Sequence, residues 1–165
     1  MYLKDKSNYD ENQFGFPLEN IRKSDHGFHA LFFIDSFSGS LLLSKRYTTL
    51  STLLSEDLIS NFLIALNLFI KEMNEDNNEE IQDINFKETR ILYERMGRLI
   101  VIGITKKVNL QLERGILREI IEDFYMKYKN YINNFKGIID PTILNYKKKL
   151  ESMDLNSLFK FKVNL

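Results

Sequence analysis

His26 and His29 are the only imidazoles in the chain, and imidazole is the side chain best suited to ligate a metal or move a proton near neutral pH. A separation of three in an extended segment points the two rings in different directions. No third ligand suggests itself between or beside them, so they read as ordinary surface or partly buried histidines rather than a metal centre. Asp35 is the other chemically suggestive residue, an acid in an otherwise apolar stretch just before Ser38-Gly39. Accepting backbone N–H bonds at a turn explains it better than general-base work. Cysteine is absent, which removes disulfides, thiolate zinc sites, iron–sulfur clusters and thiol nucleophiles. Phosphate-binding loops, dinucleotide glycine turns and the short zinc-hydrolase, serine-hydrolase and calcium-loop patterns are missing as well. Gly97, Gly103 and Gly115 stand singly. The residues therefore nominate no catalytic, cofactor-binding or metal-binding group.

Charge is uneven beneath a zero sum. The 23 basic and 23 acidic residues cancel, so no global field draws the protein to nucleic acid. Between Arg90 and Arg118, however, Arg90, Arg95, Arg98, Lys106, Lys107, Arg114 and Arg118 face only Glu94 and Glu113. Such a basic surface could meet an acidic protein or anionic lipid headgroups. Solvated, routinely charged exteriors of strands and helices are the plainer reading. Nucleic acid is not expected, because no reading motif accompanies the basic residues and the aromatic residues fall mostly on core stripes.

The elements that must position these groups follow from periodicity. At 165 residues, with 44% hydrophobic and 28% charged residues, the chain is sized for one domain with a real core. Residues 1–25 are polar and aperiodic and read as an arm. An apolar run over 28–37, a turn at Ser38-Gly39 and a second run over 41–47 predict a hairpin. Ser55 is a good N-cap for a helix reaching about residue 73. The segments 81–87, 89–96 and 98–106 predict three more strands, and Asn109 caps a second helix ending near residue 135. Asp140-Pro141 opens a third helix to about residue 153. Strands 1 and 5 are apolar throughout and belong in the middle of the sheet, whereas strand 3 carries Asp83, Asn85 and Lys87 and suits an edge. The fold expected is α+β: a five-stranded antiparallel sheet in the order 2-1-5-4-3, one helix on one face and two on the other, in three layers. Residues 26–153 form the domain, and 154–165 is a tail too apolar to float free.

The first helix carries a conspicuous pair. Leu58, Ile59, Phe62, Leu63, Ala65, Leu66, Phe69, Ile70 and Met73 share one broad face that is expected to pack inward. Ile64 and Leu68 fall on the opposite side among Asn61 and Lys71. Two apolar side chains four residues apart meet on a helix surface, and leaving both in water forgoes about 1.5–3 kcal/mol each. Ile64, Leu68, Asn61 and Lys71 are accordingly the expected partner-binding residues. Arg90, Arg95, Arg98, Lys106 and Lys107 are the expected basic surface.

The hairpin, the first helix, the run INFKETRILYERMGRLIVIGIT over 84–105 and the long helix after it resemble a longin-type domain, a fold related to the profilin-like sandwiches. The likeness spans about 26–153 and rests on element order and diffuse pattern. What it implies is a non-enzymatic platform that binds small GTPases, SNAREs or related subunits in membrane traffic. Pairing with itself or with a longin- or roadblock-like subunit through the first helix, or through an edge strand, follows from the same likeness. The alternatives are a small-ligand sensor of the PAS or profilin-like kind and a subunit of a heterodimeric guanine-nucleotide exchange factor. With no signal peptide or apolar stretch near 20 residues, a cytoplasmic protein is expected, in peripheral contact with anionic membrane if the basic surface serves that end.

Overall fold

The structure, a computed structural model, describes residues 27–47, 56–73, 81–153 and 155. Within helix 56–73 the side chains of Glu56, Asp57, Ser60, Asn67, Ile70, Lys71 and Met73 are outside that description. Ser55, residues 1–25 and most of 154–165, each of which carried an expectation above, lie outside the described residues too.

Five strands form one sheet: β1 (Phe28–Asp35), β2 (Leu41–Arg46), β3 (Asp83–Asn85), β4 (Arg90–Met96) and β5 (Leu99–Thr105). Their order is β2-β1-β5-β4-β3, and every pairing is antiparallel. The helices are α1 (Glu56–Met73), α2 (Leu110–Asn133) and α3 (Leu144–Ser152), the last preceded by a 3-10 turn over Pro141–Ile143. The class and strand order are those expected. Strand 3 is shorter than expected, three residues instead of seven, because the polar residues around Ile84 give the pairing little to bury.

Alternation divides the central strands between two apolar clusters. Leu31, Phe33, Leu99 and Val101 join Ile116, Leu117, Ile120, Ile121 and Phe124 of α2 and Tyr146 and Leu150 of α3. Phe32, Ile34, Ile100 and Ile102 join Ile59 and Leu63 of α1. This is why the two middle strands read as continuous apolar runs: both parities are buried.

Two bulges adjust that alternation. Opposite β5, Phe28 pairs with Thr105 and Ala30 with Ile104, which leaves His29 as the extra residue. The parity therefore flips, and Phe28 enters the α2 cluster while Ala30, two residues on, enters the α1 cluster. Opposite β2, Phe33 pairs with Leu43 and Ile34 with Leu41, so Leu42 is extra. Leu42 and Leu43 consequently both reach the α2 cluster, while Leu41 packs on the other.

The flipped Phe28 ring needs room, and Gly103 supplies it. A Cβ built on Gly103 would stand 2.6 Å from Cε1 of Phe28 and 3.4 Å from Cδ1 of Leu117. Both neighbours are fully buried, so neither can swing away without disturbing α2. Gly103→Ala should cost about 1–3 kcal/mol through overpacking. Urea unfolding checks this, with Phe28→Leu in the same background expected to recover part of the loss. An alanine variant as stable as the wild type would remove the steric account.

Candidate functional site

α1 is where the structure departs furthest from expectation, and the departure creates the candidate site. Of the broad apolar face, Ile59 and Leu63 are buried and Leu66 is half-buried. Leu58 is 61% exposed, Phe62 51% and Phe69 58%, and Ala65 is exposed between them. The inward packing expected of Leu58, Phe62, Ala65 and Phe69 is thus corrected. A helix touches a sheet along a stripe near 100° wide, and this apolar face is wider, about 160° at 100° per residue. One half meets the sheet. The other half remains at the surface.

Ile64 explains why the helix settles on that side. Gly39, at φ +74° in the β1–β2 turn, has no side chain, and a Cβ there would collide with Cδ1 of Ile64 and lie 2.9 Å from its Cγ1. Ile64 is therefore half-buried against the turn, not outward as expected. Leu68 is 56% exposed, in accord with expectation, and Asn61 is exposed beside it. Ile64 and Leu68, together with Ile34, Ser36, Gly39, Leu63, Ile100 and Ile102, line a cavity of about 50 Å³. That volume admits a water or two, far below the 300–1,000 Å³ of a small-molecule pocket. Lys71 belongs to α1, but its side chain is outside the described residues.

The exposed half has a regular spacing. Leu58, Phe62, Ala65 and Phe69 follow one another at intervals of four, three and four, which is the repeat by which one helix presents a narrow seam to another. Sequence projection pointed to Ile64 and Leu68 and passed over this seam. The spacing itself was present in the sequence, but only the depth of contact with the sheet shows which half of the face is left over.

The turn that receives Ile64 is built by an ion pair. Arg98 donates from Nε to Oδ1 of Asp35 at 2.7 Å and from Nη2 to Oδ2 at 2.9 Å, a two-pronged, charge-assisted contact. The amide and hydroxyl of Ser38 also donate to Oδ2, at 3.0 and 2.6 Å, so Asp35 is the turn acceptor expected of it. Arg98 goes on to donate to the carbonyl oxygens of Asn133 and Phe135 at the end of α2. Its guanidinium also lies 4.5 Å from the ring centre of Phe37. Burial pushes the Asp35 carboxyl up, but the Arg98 and Ser38 hydrogen bonds outweigh it and hold the group below its ordinary value.

Other members of the expected basic surface are likewise engaged within the fold. Arg90 donates to Oε2 of the buried Glu113 at 2.6 Å, and Oε1 of the same carboxylate accepts the Val108 amide. Arg114 pairs with Asp83, Arg118 pairs with Glu94, and Nζ of Lys107 donates to the Phe86 carbonyl at 2.7 Å. Arg95 and Lys106 are exposed. The buried role of Glu113 was not foreseen. Its only trace in the sequence is an acid among positions that otherwise alternate with the core.

His29 is the bulge residue of β1 and half-buried. Partial burial, then the charge of Lys106, lowers its pKa. His26 lies outside the described residues. Among the described residues no group of three or more His, Asp or Glu side chains is arranged to hold a metal, and no helix is long and apolar enough to cross a membrane. The phenol of Tyr93, in the α1 cluster, is buried with no hydrogen-bond partner among the described residues, and burial raises its pKa. Compared with protein-family models and with curated proteins, the sequence matches none.

Asp35 has a definite signature in acid. Its folded pKa is depressed, so the stability it contributes is present above the unfolded value near 3.9 and is lost as pH falls through the folded value. Urea midpoints measured from pH 7 downward should show the wild type losing stability below about pH 4. In Asp35→Asn that part of the slope should vanish from a lower starting stability. Parallel slopes in the two proteins would contradict the assignment.

Proposed function

We propose that this chain is a non-enzymatic protein-interaction module with a longin-like, three-layer arrangement, and that it pairs through α1 with a second copy or a related subunit. The observation that carries this reading is the Leu58, Phe62, Ala65 and Phe69 seam, exposed on a helix whose other half is already used by the sheet. Large rings at the surface, in the spacing of helix-to-helix contact, are the chemistry of a protein interface core. Leu68 and Asn61 border the seam and stay in the proposed contact. Ile64 acts from behind by setting the rotation of the helix against Gly39.

The cellular role rests on the likeness in element order to longin-type domains. It is support of small-GTPase regulation or membrane traffic, in the cytoplasm, with Arg95 and Lys106 as the exposed cations of the basic surface. A ligand-sensor role draws less support, since the cavity beside Ile64 and Leu68 holds no more than a water or two.

Sedimentation velocity at tens of micromolar compares the wild type with Phe62→Ser/Phe69→Ser. The wild type should travel as a two-chain species and the double variant as a single chain, with unchanged far-ultraviolet circular dichroism. A wild type that is a single chain at every concentration discards self-pairing. If it also shows no binding to related subunits, it discards the reading.

A further inference from the structure

At the end of the sheet opposite the Asp35–Arg98 pair, two loops are tied together and present apolar side chains to solvent. One loop, 86–89, joins β3 to β4 and is closed by the Phe86 amide donating to the Thr89 carbonyl at 2.8 Å. The other, 106–109, joins β5 to α2. Phe86 and Val108 are each about half exposed, and Leu110, the first residue of α2, is exposed as well. None of the three belongs to either apolar cluster of the core.

This tip is held in place. The Val108 amide donates to Oε1 of the fully buried Glu113 at 2.9 Å, and the other oxygen of that carboxylate accepts from Arg90 at the start of β4. The Lys106 amide donates to the Gly27 carbonyl at 2.8 Å. Lys107 stands at φ +58°, a left-handed backbone that a residue with a Cβ rarely takes. Its Nζ crosses to the Phe86 carbonyl of the other loop at 2.7 Å. Such a backbone persists only where its surroundings hold it. Here a buried carboxylate and a bridging lysine hold large apolar side chains out of the core.

Lysines surround the apolar tip. Lys87 and Lys106 are exposed, and Lys107 is half-buried between the loops. Glu88 is the one acid among residues 86–89 and 106–110, and Arg90 and Glu113 neutralise each other. A stable protein interface buries roughly 800 Å² on each side in matched shape, more than three loop side chains provide. A bilayer needs no matched shape. It takes up each apolar side chain separately, lets lysine stems lie along it with the ammonium groups among the phosphates, and attracts each cation when its lipids are anionic.

We propose that this tip docks on the surface of an anionic phospholipid bilayer, with Phe86, Val108 and Leu110 entering the headgroup region and Lys87, Lys106 and Lys107 meeting its anionic groups. The site does not rest on pairing through α1, and either can fail alone.

Co-sedimentation of the full chain with vesicles tests it, comparing phosphatidylcholine alone with phosphatidylcholine that contains phosphatidylserine. The wild type should bind the mixed vesicles roughly tenfold or more tightly than the neutral ones, and added salt should weaken that binding. Phe86→Ser/Val108→Ser and Lys87→Gln/Lys106→Gln should each weaken binding to the mixed vesicles by roughly tenfold. Lys107 is left in place because it bridges the loops. Lys136→Gln/Ile138→Ser, a matched exposed pair at the opposite end, should bind as the wild type does. Nuclear magnetic resonance of the wild type with a spin label on the lipid headgroup should broaden the amides of 86–88 and 106–110 before those of 136–139, which decides the matter even if a variant fails to fold. The proposal is overturned by no binding to the mixed vesicles, which would leave the tip to a protein partner. Equal binding to neutral vesicles, binding that ignores either tip pair, or broadening centred elsewhere would overturn it too.

Discussion

β1 and β5 pair along their whole length, and each presents apolar side chains to both faces of the sheet. A ribbon of this kind is stable only if water is kept from two sides at once, because each fully buried Ile, Leu or Phe contributes about 1.5–3 kcal/mol. The rest of the architecture answers that demand. β4 pairs with β5, and β2 pairs with β1. α2 and α3 contribute to one cluster and α1 to the other. The two bulges at His29 and Leu42 are how a chain with period-two alternation adds extra apolar groups to the α2 cluster, where two helices need more filling than one.

Two buried carboxylates sit at the two ends of this ribbon and connect elements distant in sequence. At one end Asp35 and Arg98 join the β1–β2 turn, the β4–β5 turn and the last carbonyls of α2. At the other, Glu113 joins Arg90 at the start of β4 to the backbone before α2. Each buried carboxylate meets a guanidinium and a backbone amide, which is what keeps burial of a charge tolerable. Two of the cations that in the sequence looked like an outward-facing basic region, Arg90 and Arg98, are the partners of these acids. The turn held by Asp35 is also the surface that seats Ile64, so the electrostatics of one end helps to set the rotation of α1 and, through it, which apolar side chains reach the surface.

Much of this was legible in the chain itself. Alternation, turn residues and caps placed the strands and helices to within a few residues, because local backbone preference and period depend on neighbours in sequence. Asn109 accepts the Leu112 amide and Asp140 the Thr142 amide, as their positions before helical segments implied. Strand order was legible as well: β1 and β5 are apolar at both parities, and only central strands can bury both.

What the sequence alone determined is therefore the set of elements, their order in the sheet, and the absence of thiol chemistry. Tertiary structure decided the rest, since it depends on side chains that meet across large separations in sequence. α1 carries an apolar face wider than the sheet can cover, and no periodicity says which half is used. That choice is made by Gly39, whose missing side chain admits Ile64. Nor does a run of arginines reveal its partners, because Arg98 finds Asp35 and Arg90 finds Glu113 only after the strands have paired. Local pattern reports what a residue can cover, and packing decides what is left for a partner to touch.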